Sequence, residues 1–260
     1  MKLYHYTSVS SFSKIWQSKT LRFSEGKGTN DYFERHKVIT ADNGKLIYNG
    51  EKTTIEVIQH NINVIFEEIN KYKQISLCRD YSNGLRGYAS PMMWGQYARY
   101  KDDNGVWQDG VCIELDEKKL NLATKPLFAK PVLYEDYIQV IKFGGFDFTQ
   151  VNAIEKFIEK NKDILFFTKH RHWEHENEHR IVSNKLDYLD ISVSIKGIYV
   201  LGMDSPAMKN VEKITQNPSI INILMSGGTK GRTLSNYNLQ QYRDIIRRNE
   251  ERIRKMKTDK

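Results

Sequence analysis

The chain has 260 residues, 39% of them apolar and 12% aromatic, which is enough for one large domain with a full core. Its formal charge is +8, and much of that sits near one end: from Lys230 to Lys260 there are ten basic side chains against four acidic ones. No apolar run reaches membrane-spanning length, and Met1-Lys2-Leu3-Tyr4-His5 has no apolar signal core, so a cytoplasmic protein without membrane contact is expected. Cys78 and Cys112 both lie inside apolar runs, as buried thiols of a reducing compartment would.

In chain order, Tyr4-His5-Tyr6-Thr7 reads as a short strand, and a lone histidine on such a strand is usually structural. Ser8 to Lys19 predicts a helix, with a serine cap and Val9, Phe12, Ile15 and Trp16 on one face. Leu21 to Ser24 alternates as a strand and runs into a glycine-punctuated loop through Asn30 and Asp31. Residues 37–54 form a polar excursion, with turn signals at Asp42-Asn43-Gly44 and Asn49-Gly50 that suit a small hairpin. Thr54 to Tyr72 carries an apolar stripe of Ile55, Ile58, Ile62, Ile65, Phe66 and Ile69, the cleanest helical pattern in the chain.

Strands are expected at Ile75–Cys78, Gly110–Leu115 and Pro131–Tyr134. Between the first two, a long loop leads into one or two helical turns at Met92–Ala98. An aromatic loop, Phe143 to Thr149, precedes a helix from Val151 to about Phe167. Further strands are expected at Leu189–Val193, Lys196–Gly202 and Ile220–Met225, and a short helix at Met208–Thr215. Gly227-Gly228 then begins the exit to a basic helix, Asn238 to Lys257. Strands and helices mix without regular alternation, so the class is α+β. The organisation expected is a domain over 1–228 and a basic helix and tail over 229–260.

The densest set of reactive side chains is Trp173-Glu174-His175-Glu176-Asn177-Glu178-His179-Arg180. As a helix it places His175 and His179 one turn apart with Glu176 between them, the H-E-x-x-H pattern of a zinc hydrolase. As the entry to a strand it places Glu176 and Glu178 on one face, a carboxylate pair, with Arg180 continuing the alternation. The strand is favoured, because Ile181-Val182 follow, the turn Asn184-Lys185 comes next, and positions 174–180 hold no apolar residue to bury a helix face. No metal is then required, and one carboxyl of a close pair is expected to have a raised pKa.

Taken together, Tyr4-His5-Tyr6-Thr7-Ser8, Leu21 to Ser24 with Asn30-Asp31 and Glu34, Ser76-Leu77-Cys78, Met93-Trp94 with Tyr97-Ala98, Gly110 to Ile113, and Trp173 with Glu176, Glu178 and Arg180 form a recognisable order. It resembles a bacterial and phage family of unknown function grouped with the ADP-ribosyltransferase superfamily, over about residues 1–225. The resemblance implies two small mixed sheets flanked by helices, gripping NAD+ in a cleft. Carried over by position, Glu178 is the catalytic carboxylate and Glu176 its neighbour. His5, Tyr6 and Thr7 contact the nicotinamide-side ribose and amide, and Trp94 or Tyr97 stacks on nicotinamide. Ser24, Ser76 and Tyr97 each fit the middle motif; Asn30, Asp31 and Arg180 complete the NAD+ contacts.

The activity so implied is NAD+-dependent ADP-ribosyl transfer by a toxin or phage-defence effector, with an antitoxin or inhibitor protein as an expected partner. The basic helix, through Arg243, Arg247, Arg248, Arg252, Arg254 and Lys255, makes RNA or DNA the expected acceptor. A protein acceptor, plain NAD+ hydrolysis, a non-enzymatic nucleic-acid-binding module and the zinc hydrolase remain as alternatives.

Overall fold

A computed structural model describes residues 1–26, 31, 38–40, 47–48, 51–52, 55–137, 140–142, 152–227 and 233–258. The main elements, in chain order, are β1 (Lys2–Thr7), α1 (Val9–Ser18), α2 (Ile55–Ile69), β2 (Lys73–Arg79), β3 (Val111–Asp116), β4 (Phe128–Pro131) and β5 (Leu133–Glu135). They continue with α3 (Ala153–Phe166), β6 (Thr168–His170), β7 (Glu178–Ser183), β8 (Ile195–Leu201), α4 (Pro206–Thr215), β9 (Ile221–Gly227), β10 (Thr233–Asn238) and α5 (Leu239–Thr258). The class is α+β with a large mixed sheet. Among the described residues no helix is long and apolar enough to cross a membrane.

The chain divides into two compact units. The first comprises Met1–Leu21, Leu77–Asn121 and Asp190–Lys260. Its strands run in the order β2, β1, β3, β8, β9, β10. Only the β8–β9 pair is parallel, because α4 carries the chain back between them; the other pairs are antiparallel. β1 has a partner on both edges, so its apolar residues are covered, and Leu3 and Tyr4 are fully buried. α1 starts where expected: the Ser8 hydroxyl accepts from the Ser11 N–H at 3.2 Å, and Lys19 closes the helix in the left-handed region. Tyr4, Tyr6, Cys78, Trp94, Cys112 and Tyr199 form this unit's aromatic core, and both cysteines are free thiols.

The second unit comprises Arg22–Ser76 and Leu122–Leu189. β4 pairs antiparallel with β7, and β7 neighbours β2. β5 and β6 pair in parallel beside them as a separate two-stranded ribbon. α2 and α3 bring Ile65 and Ile69 against Phe157, Ile158, Leu165 and Phe166, which is the packing the two helical stripes anticipate. β2 serves both units, Lys73–Ser76 in the second and Leu77–Arg79 in the first.

Within 37–54 the strands Ile47–Tyr48 and Glu51–Lys52 pair antiparallel, as the expected small hairpin would, and a further strand, Val38–Thr40, pairs in parallel with Val140–Lys142. Other stretches differ from expectation. The aromatic loop at 143–149 lies outside the described residues. β10 is an added strand that pairs along all of β9, in a stretch expected to be a plain exit toward the basic helix.

Candidate functional site

The reactive stretch is a turn that runs into the expected strand at Glu178, and no zincin helix forms. Arg171–Glu176 is a 3-10 turn, and Asn177 follows it in the left-handed region at φ 42°. The chain becomes extended only at Glu178. Glu176 and Glu178 therefore do not share a strand face, which corrects the carboxylate-pair expectation. An αL residue between them breaks the two-residue alternation, and asparagine is the non-glycine residue best suited to that conformation. His175 lies in the turn, its Nδ1 3.1 Å from the His172 carbonyl oxygen, while His179 is buried on β7. The two histidines do not stand on a common helix face. Among the described residues no group of three or more His, Cys, Asp or Glu is placed to hold a metal.

What joins the two glutamates is Lys169 of β6. Its Nζ lies 2.6 Å from Glu176 Oε2 and 3.7 Å from Glu178 Oε2. Arg180, two residues along β7, reaches back with a fork: Nε donates to Glu178 Oε1 at 2.6 Å and Nη2 to Oε2 at 2.8 Å. Its Nη1 donates to the Phe166 carbonyl at 2.7 Å. The Glu178 N–H donates to the Tyr134 hydroxyl at 2.9 Å, and the Ser76 hydroxyl of β2 helps keep the carboxylate ionised. The fork between Arg180 and Glu178 is the geometry the alternation at positions 178 and 180 anticipates.

All four charged groups are buried: Glu178 is 2% exposed, Glu176 4%, Lys169 6% and Arg180 1%. Two negative and two positive charges cancel, which is how such a cluster is tolerated in a low-dielectric interior. Burial pushes the Glu178 carboxyl up, but the charge and fork of Arg180, then Lys169 and Ser76, outweigh it and hold the pKa at about 2. The shift at Glu178 is downward because two cations, Arg180 and Lys169, face its carboxylate.

A pH dependence follows. A carboxyl depressed from 4.5 to about 2 contributes stability that is fully present above pH 4.5 and is lost as pH falls toward 2. Urea unfolding at pH 6 and pH 3 should differ by about 2 kcal/mol more in wild type than in Glu178→Gln. Equal slopes would mean that Glu178 carries none of the acid sensitivity.

The remaining expected site residues fall into three groups. Asp31 belongs with the turn: it is buried, and its Oδ2 accepts from the His170 N–H at 3.4 Å. Ser24 is exposed on a two-residue strand that pairs with the start of β2, and Asn30 lies outside the described residues. His5, Tyr6, Thr7, Trp94 and Tyr97 belong to the first unit. Of these, Tyr6 and Trp94 are core residues. The Tyr6 hydroxyl donates to the Gly87 carbonyl, the Trp94 indole N–H donates to the Tyr88 carbonyl at 2.8 Å, and the two rings meet edge to face at 5.3 Å. His5 and Tyr97 are half-buried, and Thr7 is buried.

On α5, Arg243 forks onto Glu212, with Nη2 2.9 Å from Oε2. Arg247 pairs with Asp244 at 3.3 Å, and Arg248 Nε donates to the Asp244 carbonyl at 3.2 Å. Arg254 is exposed; the side chains of Arg252 and Lys255 lie outside the described residues. Lys169 and Tyr134 were absent from the expected site. The hint of Lys169 in the sequence is slight, a lysine one residue beyond Thr168 after the apolar Phe166-Phe167.

Comparison with known proteins adds one match. Residues 93–181, about a third of the chain, match a family described as "Protein of unknown function (DUF2971)". That domain contains Lys169, Glu176, Glu178 and Arg180 but not Ser76 or His5. No curated protein matches the chain. No solved structure matches it either. Nothing in these comparisons links the chain to the ADP-ribosyltransferase superfamily. A domain of the unknown-function family covers residues 93–181.

Proposed function

We propose that the chain is an NAD+-dependent ADP-ribosyltransferase with Glu178 as its catalytic carboxylate and nucleic acid as its acceptor. One observation carries this: Glu178 opens strand β7 and is held ionised, with Ser76 of the neighbouring strand β2 among the groups that keep it so. A hydroxyl on one strand and a glutamate at the head of another is the pairing the family resemblance implies. Of the three residues that fit the middle motif, Ser76 is among the groups that lower the Glu178 pKa.

The chemistry suits the group. Cleavage of the ribose–nicotinamide bond develops positive charge at the anomeric carbon, and an ionised carboxylate beside it stabilises the transition state more than the ground state. Arg180 both keeps Glu178 charged and fixes its rotamer. In this reading the 3-10 turn is the element that opens, releasing Glu176 from Lys169 so that substrate reaches the Glu178 carboxylate.

A second reading has its own support. With Glu178 2% exposed and both its oxygens held by Arg180, the four-residue network is equally suited to fixing the turn against β6 and β7. Labelled NAD+ incubated with RNA, DNA and protein separates the two. Transfer by wild type, reduced about 10²–10³-fold in Glu178→Gln with the fold intact, is the expected result. No NAD+ cleavage by wild type, together with a lower unfolding midpoint in the variant, leaves the network structural. Acceptor choice is better tested by Arg247→Glu with Arg248→Glu than by truncation after Gly228, because truncation also strips β10 from β9.

A further inference from the structure

The second unit carries a groove that belongs to neither the Glu178 network nor α5. It is a cavity of about 800 Å³ beneath the first turns of α3, bounded by the segment entering β4 and the end of β7. Its lining includes two aromatic rings: Tyr72 and Phe128 stack nearly parallel, 11° apart with centroids 6.2 Å from each other, Tyr72 packs on Phe166 at 4.8 Å, and Lys162 Nζ lies 4.9 Å from the Phe128 ring centroid. Around those rings stand Lys125, Lys156, Lys160 and Lys185. Two carboxylates share the rim, Glu155 and Glu159, and Glu159 is already paired with Lys162. The balance is positive.

From this geometry we infer that the groove binds a nucleotidyl unit, its base on the Tyr72 and Phe128 rings and its phosphate among the lysines. The volume matches a ligand of that size. Flat aromatic carbon beside ammonium groups is how proteins hold a base and its phosphate without reading sequence. α3 begins at the same groove, and the Asn152 side chain makes no capping bond there. The helix N-terminus adds its partial positive charge there, offset in part by Glu155 in the same first turn. An acidic peptide would satisfy the lysines but would leave the aromatic rings without a partner. The inference uses no residue of the Glu178 network and stands whether or not the chain cleaves NAD+.

A free nucleotide and a nucleotide within a strand present the same chemistry. Fluorescence anisotropy on the full chain, with labelled ATP in EDTA and with a labelled oligothymidylate of about ten nucleotides, distinguishes them. Binding of either probe with Kd below about 100 µM, weakened at least tenfold by Lys156→Glu with Lys185→Glu, is expected. Tighter ATP binding points to a free nucleotide, and tighter oligonucleotide binding to a strand. Lys156 and Lys185 are exposed, and the pair should unfold at the wild-type midpoint. Should it fail to fold, Lys185→Ala alone must weaken binding about threefold. The charge-matched pair Lys14→Glu with Lys209→Glu, on exposed positions of the first unit, is the control. Three results overturn the inference: neither probe binding below about 1 mM, the control weakening binding as much, or polyglutamate binding as tightly as the nucleotides.

Discussion

Replacing Arg180 with leucine is expected to destabilise the fold by about 3–5 kcal/mol, the range for stranding one partner of a buried ion pair. The substitution removes the fork to Glu178 and the hydrogen bond to the Phe166 carbonyl. What remains is a carboxylate 2% exposed, with Lys169 3.7 Å away as its nearest cation. Arg180→Lys should recover only part of the loss, since an ammonium cannot bridge both carboxylate oxygens and the carbonyl together. Adding Glu178→Gln to Arg180→Leu should restore stability relative to Arg180→Leu alone, because the uncompensated charge is gone. Urea unfolding of the four proteins at pH 7 gives the cycle. A loss below about 1 kcal/mol in Arg180→Leu would show that water reaches Glu178 and that the cluster is not dry.

The second large effect is expected in the first unit. A Cβ at Gly110 would lie 2.1 Å from the Thr7 carbonyl oxygen and 2.5 Å from that of Ala98. Both are backbone atoms, so no side chain can turn aside. Gly110 precedes the first β1–β3 pair, Thr7 with Val111, and relief of the clash must part the strands or move the turn holding Ala98. Gly110→Ala should therefore destabilise by about 3 kcal/mol or more, at the upper end for overpacking. Gly95→Ala is the internal comparison. Its Cβ would meet nothing within 4 Å, and the change should be neutral or slightly stabilising. Thermal unfolding of both variants beside wild type tests the contrast, and similar midpoints would mean that the strand ends give way easily.

The elements legible in the sequence were those whose packing is periodic. The stripes of α1, α2 and α3 follow from Phe12, from Ile65 and Ile69, and from Phe157 and Ile158, all buried where the spacing puts them. The exposed faces between them carry the charge. The reactive stretch was legible only as a concentration of chemistry. The seven polar residues after Trp173 have no apolar period, and a single αL asparagine at 177 turns the start of the expected strand into a turn followed by a strand. The fork from Arg180 to Glu178 was foreseeable because it spans two residues of one strand. Lys169 was not, since it reaches the glutamates only after β6 folds beside the turn. β10 was missed for a different reason: Thr233-Leu234-Ser235-Asn236 is weakly apolar and gains its identity from pairing with β9.

The placement of β1 has a consequence for how the protein is made. This strand is paired on both edges, with Arg79 and Cys78 on one side and Val111 to Asp116 on the other. It must wait for more than a hundred residues of synthesis before its long partner exists, and the chain crosses between the two units four times before it ends. Topologies with such distant pairings fold slowly and leave sticky intermediates. Nascent chains of this protein should therefore depend on chaperones, and yield in a cell should fall sharply when translation outruns them.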